Sequence, residues 1–445
     1  MNDSEYARFK LAADFFSVDP DFRQRALEDP EGALNSLGLG LDDPALALRG
    51  ITAVTGGRAA SDAANPYVAE HLRRYRAVSD FVARSHRREA FSRDAFFRFA
   101  DTTRNRCRTE SRLIRGHDNI RYFPLCFELS LGCSVQCPFC GLDAPRWQRD
   151  FRYSPENAAL WQAVLQSSVE LLGPIAGAAP CYLATEPLDN PDYERFLRDF
   201  FRVTGQLPQT TTAIAERDPE RTRSLLHLYG KDRLRFQAAL RFSIRTKAQF
   251  YRIVEAFSPE ELADVEILPN NPESVSLYAA SGRARSGRSG KQSGPAYSIC
   301  CIAGVRVNMA ERRMEFLEPE LPDSDFPLGV RVRETLYFDD AADYRSKLEH
   351  LMNAWAVGLL PRDRMLKLNR NCEAVPTEDA IAFLGDGVGY RITGNAYTFQ
   401  MLELLEEGRS LERMQRELRL PSARQESFYD LMNQLFIRGY LRLEA

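Results

Sequence analysis

Hydrophobic positions along the chain fall into two textures. Up to about residue 115 they recur at helical spacing. SEYARFKLAADFF carries apolar or aromatic residues three and four apart, and DPDFRQRALEDPEGALNSLGLGLDDP reads as short helices punctuated by Asp-Pro and Gly. GGRAASDAANP (residues 56–66) predicts a loop, and a longer helical stretch runs from Tyr67 to about Arg115. From about residue 120, short apolar runs alternate with amphipathic segments such as AALWQAVLQSSVELLG and DPERTRSLLHLYG. The predicted strands are Phe123–Leu131, Cys181–Thr185, Gln209–Ala215, Leu234–Leu240 and Val265–Leu268. Strands and helices in this alternation imply parallel βα units curling into a full or partial barrel. Chemistry in such barrels gathers at the C-terminal ends of the strands.

Near the end of the barrel region, SGRARSGRSGKQSGP (residues 281–295) is basic, low in complexity and reads as a surface loop. SICCIAGVRVNMAERRMEFLEPE reads as a hairpin turning at AERR. The last 60 or so residues suggest a strand, three helices and a closing strand, the order of a small winged-helix-like unit. Its third helix, SFYDLMNQLF, is apolar and acidic, which points to peptide binding or packing and away from nucleic acid. The expected fold class is thus α/β. Its expected divisions are a helical segment at 1–50, a helical region at 51–118, a barrel at 119–298, a post-barrel hairpin with helices at 299–380, and a winged-helix-like unit at 381–445.

Composition narrows the function classes. Hydrophobic residues make 44% of the chain and charged residues 27%, the balance of an ordinary globular protein. The net charge of −3 supplies no bulk field for nucleic acid. The polar start, MNDSEYARFK, has no apolar core of a secretory signal, and no apolar run approaches the ~20 residues of a membrane span. A cytoplasmic location without membrane contact is the expectation. In a reducing compartment, clustered cysteines read as metal ligands or catalytic groups. Three of nine cysteines, Cys133, Cys137 and Cys140, share GCSVQCPFCG; Cys107, Cys126, Cys181, Cys300, Cys301 and Cys372 are dispersed.

The Cys-x3-Cys-x2-Cys spacing supplies three thiolates from one tight loop, so a [4Fe–4S] cluster held there keeps one iron without a protein ligand. That iron is free to chelate the amino and carboxylate groups of a small molecule. Zinc would want four ligands, and no second Cys-x2-Cys pair or nearby histidine supplies the fourth. Phe139 and Gly141 fit a loop that packs beside an adenine. No two histidines cluster, so a Cys–His nucleophile has no support.

GCSVQCPFC after the predicted strand FELSL resembles the cluster motif of radical S-adenosylmethionine (SAM) enzymes. CYLATEPLDNPDY resembles that family's "GGE" element. The resemblance implies that Ala184, Thr185, Glu186 and Pro187 bind the SAM amino group, with Glu186 as the anionic partner, on the same rim as the cysteines. ELSLGCSVQCPFCG, YSPENAALW, ATEPLDNPDYERF, PQTTTA, GRAR, CIAGVRVNM and FPLGVRV stand in order as in the radical SAM epimerases of proteusin-type ribosomal peptides, over roughly residues 65–440. The N-terminal DPDFRQRALEDPEGALNSLGLGLDDP is similar to the nitrile-hydratase-like leader of their precursors, and reads equally as a helical cap.

The resemblance implies Cα hydrogen abstraction from a ribosomal precursor peptide and return of hydrogen from a thiol, with electrons from an external reductant. Three cysteines after the barrel are too few for an auxiliary cluster. Cys301, which opens the hairpin, is the first candidate donor and Cys372 the second; Cys300, Cys126 and Cys181 read as core residues. The family carries a further cysteine past the hairpin, where this chain reads LEPELP with Glu320. Cross-linking or methylation of the peptide, and a degenerate peptide-binding adaptor, stand as alternatives.

Overall fold

The computed structural model describes residues 1–115, 123–230, 240–278, 280–285, 302–320, 322–370, 372–385 and 388–444. It is mixed α/β. Asp-Pro and Asn-Pro pairs start several of the helices, as the sequence spacing predicts: α1 (Asp3–Val18), α2 (Pro20–Glu28), α3 (Pro30–Asn35), α4 (Pro44–Thr55) and α5 (Pro66–Ser85). Asp19, Asp29, Asp43 and Asn65 each cap the next helix by accepting a backbone N–H, and proline takes the first turn, where its missing N–H costs nothing. A sixth helix, α6, spans Asp94–Arg115.

The N-terminal helices do not form a separate body. Tyr6, Phe9, Phe15 and Phe22 are fully buried in one continuous core with Trp161, Phe196, Phe242 and Phe316 of the α/β region. Phe15 meets Phe250 edge-on at 4.9 Å. Lys247 pairs with both Asp19 and Asp21 at 2.6 Å, and Asn271 Nδ2 donates to Val18 O at 2.9 Å.

The expected strands appear with changed extents. β1 (Phe123–Glu128) is followed by a short extended pair, Ser130–Leu131 with Arg149–Asp150. β2 (Thr210–Thr212), β3 (Leu240–Ile244) and β4 (Glu266–Pro269) form a parallel three-stranded sheet. The strand expected at 234–240 is found at 240–244, and residues 231–239 lie outside the described ones. The expected strand Cys181–Thr185 is not formed. Its segment runs beside β1, Phe127 N–H donating to Pro180 O at 2.9 Å, but then bonds to a side chain, Ala184 N–H donating to Glu128 Oε1 at 2.8 Å. Side-chain capture replaces the ladder, and a 3₁₀ turn at Pro187–Asp189 ends the extended run.

The parallel strands are joined by helices α7 (Pro155–Leu172), α8 (Tyr193–Thr204), α9 (Pro219–Tyr229) and α10 (Lys247–Ala256). No closed barrel is formed among the described residues. β1 pairs in parallel with β5 (Ile302–Asn308), which continues antiparallel through β6 (Arg313–Pro319) to β7 (Val330–Tyr337). The predicted hairpin is therefore present, turning at Met309–Arg312, and it extends the sheet of β1.

A second core runs from Leu360 to Leu443. It holds the three-stranded meander Glu373–Pro376, Ala380–Gly385 and Val388–Thr393, then helices Ala396–Glu407, Leu411–Glu417 and Ser422–Ile437. The closing strand Leu441–Leu443 pairs with Met365–Leu368. This core thus starts some twenty residues before the expected boundary at 381, because Leu360 and Leu366 belong to it. No helix among the described residues is long and apolar enough to cross a membrane.

Candidate functional site

The cysteine loop leaves the C-terminal end of β1 and is held by its own backbone and by three neighbours. Cys133 N–H donates to Pro145 O at 2.9 Å, and Cys140 N–H to Cys137 O at 3.2 Å. The Gln136 side chain donates to the carbonyls of Cys133, Ala144 and Pro145 at 2.8–3.1 Å, stapling the loop from inside. Gly132 has φ +81°, and a Cβ there would stand 2.2 Å from Arg146 O, so the loop can close only on glycine.

The first neighbour is the turn after Glu186. Asp189 accepts from Ser134 N–H at 2.8 Å and from Ser134 Oγ–H at 2.5 Å. Glu186 itself is 3% exposed; its carboxylate accepts Ala213 N–H at 2.8 Å and Leu188 N–H at 3.2 Å. Burial pushes its carboxyl up to about 7, against the pull of those bonds. The expected anionic residue thus also ties its own turn to the end of β2. Ala184 and Thr185 lie half-buried beside it, and Pro187 is buried.

The second neighbour is the GRAR segment, where the structure corrects the expectation of a surface loop. Gly282–Arg285 is a helical turn seated on the cysteine loop. Arg283 N–H donates to Cys140 O at 2.9 Å. Its guanidinium donates to Cys137 O at 3.0 Å, Ala144 O at 2.9 Å and Asp143 Oδ1 at 3.1 Å. Residues 286–295, the rest of that predicted loop, lie outside the described ones. The third neighbour, residues 323–327, acts through this turn: Gly282 N–H donates to Pro327 O at 2.8 Å, and Arg285 to Asp323 O.

Other side chains at the strand ends face the same way. Glu216, after β2, accepts from Gln249 at 3.0 Å and sits 3.6 Å from Arg245, which directly follows β3. Tyr278 donates to Asn270 O, after β4, at 2.5 Å, and its ring lies 5.5 Å from that of half-buried Phe139. Sequence reasoning missed Asp189, Arg283, Arg245 and Tyr278. Asp189 and Arg283 stood inside motifs singled out for other residues, whereas Arg245 stood beyond the strand expected at 234–240 and carried no such signal.

Burial pushes the Cys137 thiol up to about 12, and Cys133 and Cys140 add to the rise while Arg245 opposes it. Cys137 therefore lies within electrostatic reach of Cys133, Cys140 and Glu186. No three Cys, His, Asp or Glu side chains among the described residues stand as a ready metal-ligating group. Three thiols on one loop locked by glycine and arginine are nevertheless the donor type that an iron–sulfur cluster takes.

Cys126 is fully buried on β1 and Cys181 is 1% exposed, as the core reading expects. Cys300 and Cys301 lie outside the described residues, as does the side chain of Cys107. Cys372 packs on the second core, its Sγ 3.8 Å from Gly439 O. Glu320 is buried between Arg331, at 3.1 Å, and Arg442, at 3.7 Å, and so joins the sheet of β1 to the closing strand.

An uncharacterized protein, y4wI, of Sinorhizobium fredii (strain NBRC 101917 / NGR234) is 36% identical over 258 residues, which is 56% of this chain and 50% of that protein. The chain spans about half the length of this curated relative. No family model and no solved structure matches the chain.

Proposed function

We propose that the chain is a radical SAM enzyme that epimerises residues of a ribosomally made peptide from L to D. The observation that carries the reading is the convergence of the Cys133–Cys140 loop, the Glu186 turn and the GRAR segment at one end of β1 and β2. In this reading β1, the 180–186 segment and β2–β4 are part of a partial (βα)6 barrel. The unit after Leu360 is a winged-helix-like module for the peptide.

Cys133, Cys137 and Cys140 would hold a [4Fe–4S] cluster, and Glu186 would accept the ammonium of SAM. Ala184, Thr185 and Pro187 would wall that end, and Phe139 would flank the adenine. When bound, this group supplies a 5′-deoxyadenosyl radical after one electron from an external reductant. The chain's own residues then hold the peptide so that one Cα–H faces the radical and the opposite face meets a thiol. In that chemistry the Cα hydrogen would leave with the adenosyl group, and the peptide would need one hydrogen back. The thiol S–H returns hydrogen to the other face, leaving a sulfur radical that one electron and one proton restore. Cys301 is the leading donor and Cys372 the second.

Anaerobic turnover in D2O with a leader-bearing precursor peptide tests the reading. The product gains about one mass unit per modified residue and releases D-amino acids on hydrolysis, because a thiol exchanges its hydrogen with solvent. Cys301→Ala should still cleave SAM and yield no D-residue. Glu320 favours a second reading. It stands where the resembled family carries a thiol and is committed to Arg331 and Arg442. A gain of fourteen mass units, or a loss of two, assigns methylation or cross-linking instead.

Glu186→Gln removes the charge at nearly constant size. Iron content should hold while SAM affinity falls roughly tenfold, the worth of about 1.5–3 kcal/mol for a bond to a charged group. Titration of SAM into the iron-loaded variant measures it, and unchanged affinity would move the ammonium contact elsewhere.

A further inference from the structure

The end of the α/β region opposite the cysteine loop holds a cavity of about 410 Å³. It lies between α5 and the Pro174–Ala178 turn that precedes the 180–186 segment, with Gln206, which precedes β2, on one side. The turn leads into the 180–186 segment and Gln206 into β2 at this end, whereas the cysteines and Glu186 stand at the other. The volume falls in the range of small-molecule sites. Its floor is apolar: Phe81 is 7% exposed and Ile175 2%.

The mouth is charged. Arg84 and Arg87 line it, both exposed, with Glu89 as the one carboxylate among the lining residues. Among the described residues neither guanidinium has a hydrogen-bond or ion-pair partner. Their neighbours differ: Arg88 is paired with Asp94, and Arg93 with Glu349 at 2.6 Å. A guanidinium presents a planar fork suited to carboxylate-like oxygens, and two unpaired forks over an apolar pocket match an anion with an apolar body.

We propose that this cavity binds an apolar organic monoanion, its body against Phe81 and Ile175 and its anionic head between Arg84 and Arg87. The proposal does not depend on the radical reading, since no lining residue belongs to the cysteine loop or its neighbours.

Fluorescence titration of the full chain with 8-anilinonaphthalene-1-sulfonate tests it. One saturable site is expected, displaced by octanoate but not by octanol. The double variant Arg84→Glu/Arg87→Glu, two exposed positions without partners among the described residues, should keep its near-ultraviolet circular dichroism and bind the probe about tenfold more weakly. Ile175→Trp, which fills the floor, should abolish binding, and the charge-reversed pair supplies the answer if that variant fails to fold. Equal affinity in the charge-reversed variant, displacement by octanol as good as by octanoate, or the lack of a saturable site would each overturn the proposal.

Discussion

Purified under nitrogen, the chain is expected to be brown and to hold about four irons, and the Cys133/Cys137/Cys140→Ala variant to hold none. The expectation rests on three thiols sharing one eight-residue loop whose backbone is bonded on every side, so removing them deletes the donors and leaves the scaffold. Cys133 N–H still donates to Pro145 O, and Ser134 still donates to Asp189. The folded chain should therefore survive, with unchanged far-ultraviolet circular dichroism, while iron and sulfide disappear and SAM cleavage stops. Iron measured by chelation against protein concentration decides the matter. A variant that retained its iron would place the metal elsewhere and end the radical reading.

Gly282→Ala should be among the most damaging single changes near the site, acting from outside the cysteine loop itself. Gly282 has φ +53°, which an L side chain rarely adopts, and a Cβ would stand 2.5 Å from Gly141 O and 2.6 Å from Cys140 O. Both obstacles are backbone, so either the helical turn or the cysteine loop has to move. Strained dihedrals of this kind cost about 1–3 kcal/mol, and the contact adds to that. The Arg283 bonds to the loop would go with the shift. We expect the thermal midpoint to fall by several degrees, about 2–4 °C per kcal/mol in a chain of this size or somewhat less. Reconstituted iron should fall at the same time. Arg283→Ala separates the two effects: it removes the latch without the clash, so it should lower iron retention while moving the midpoint less. Full iron retention in Gly282→Ala would show that the cysteine loop is positioned without the GRAR turn.

What the sequence disclosed depended on how local the signal was. Asp-Pro pairs marked helix starts because capping and the fixed proline dihedral act within four residues. The hairpin at AERR was legible because both strands and the turn are contiguous. The Cys181–Thr185 segment was misread as a strand, since its apolar composition says nothing of whether Glu128 will take the Ala184 N–H. The pairing of β1 with β5 could not be read at all, for the partners lie far apart in the chain and their register appears nowhere in their composition. At the site, the cysteine spacing and Glu186 were visible as residue types. The latch was not, because a basic Gly/Ser-rich segment looks the same whether it hangs in water or lies on a loop of carbonyls.

That distant pairing bears on the order in which the protein is made. Phe123 of β1 is matched with Ile302 of β5, so the strand that carries the cysteine loop leaves the ribosome long before its neighbour does. At about 5–20 residues per second, the gap of about 180 residues amounts to roughly 9–36 s. For most of that interval the cysteines have emerged, while Gly282 and Arg283, about 140 residues beyond Cys140, have not. The nascent loop is thus open on the side where the finished protein is latched, and any iron delivered during synthesis meets a site that has yet to be closed over.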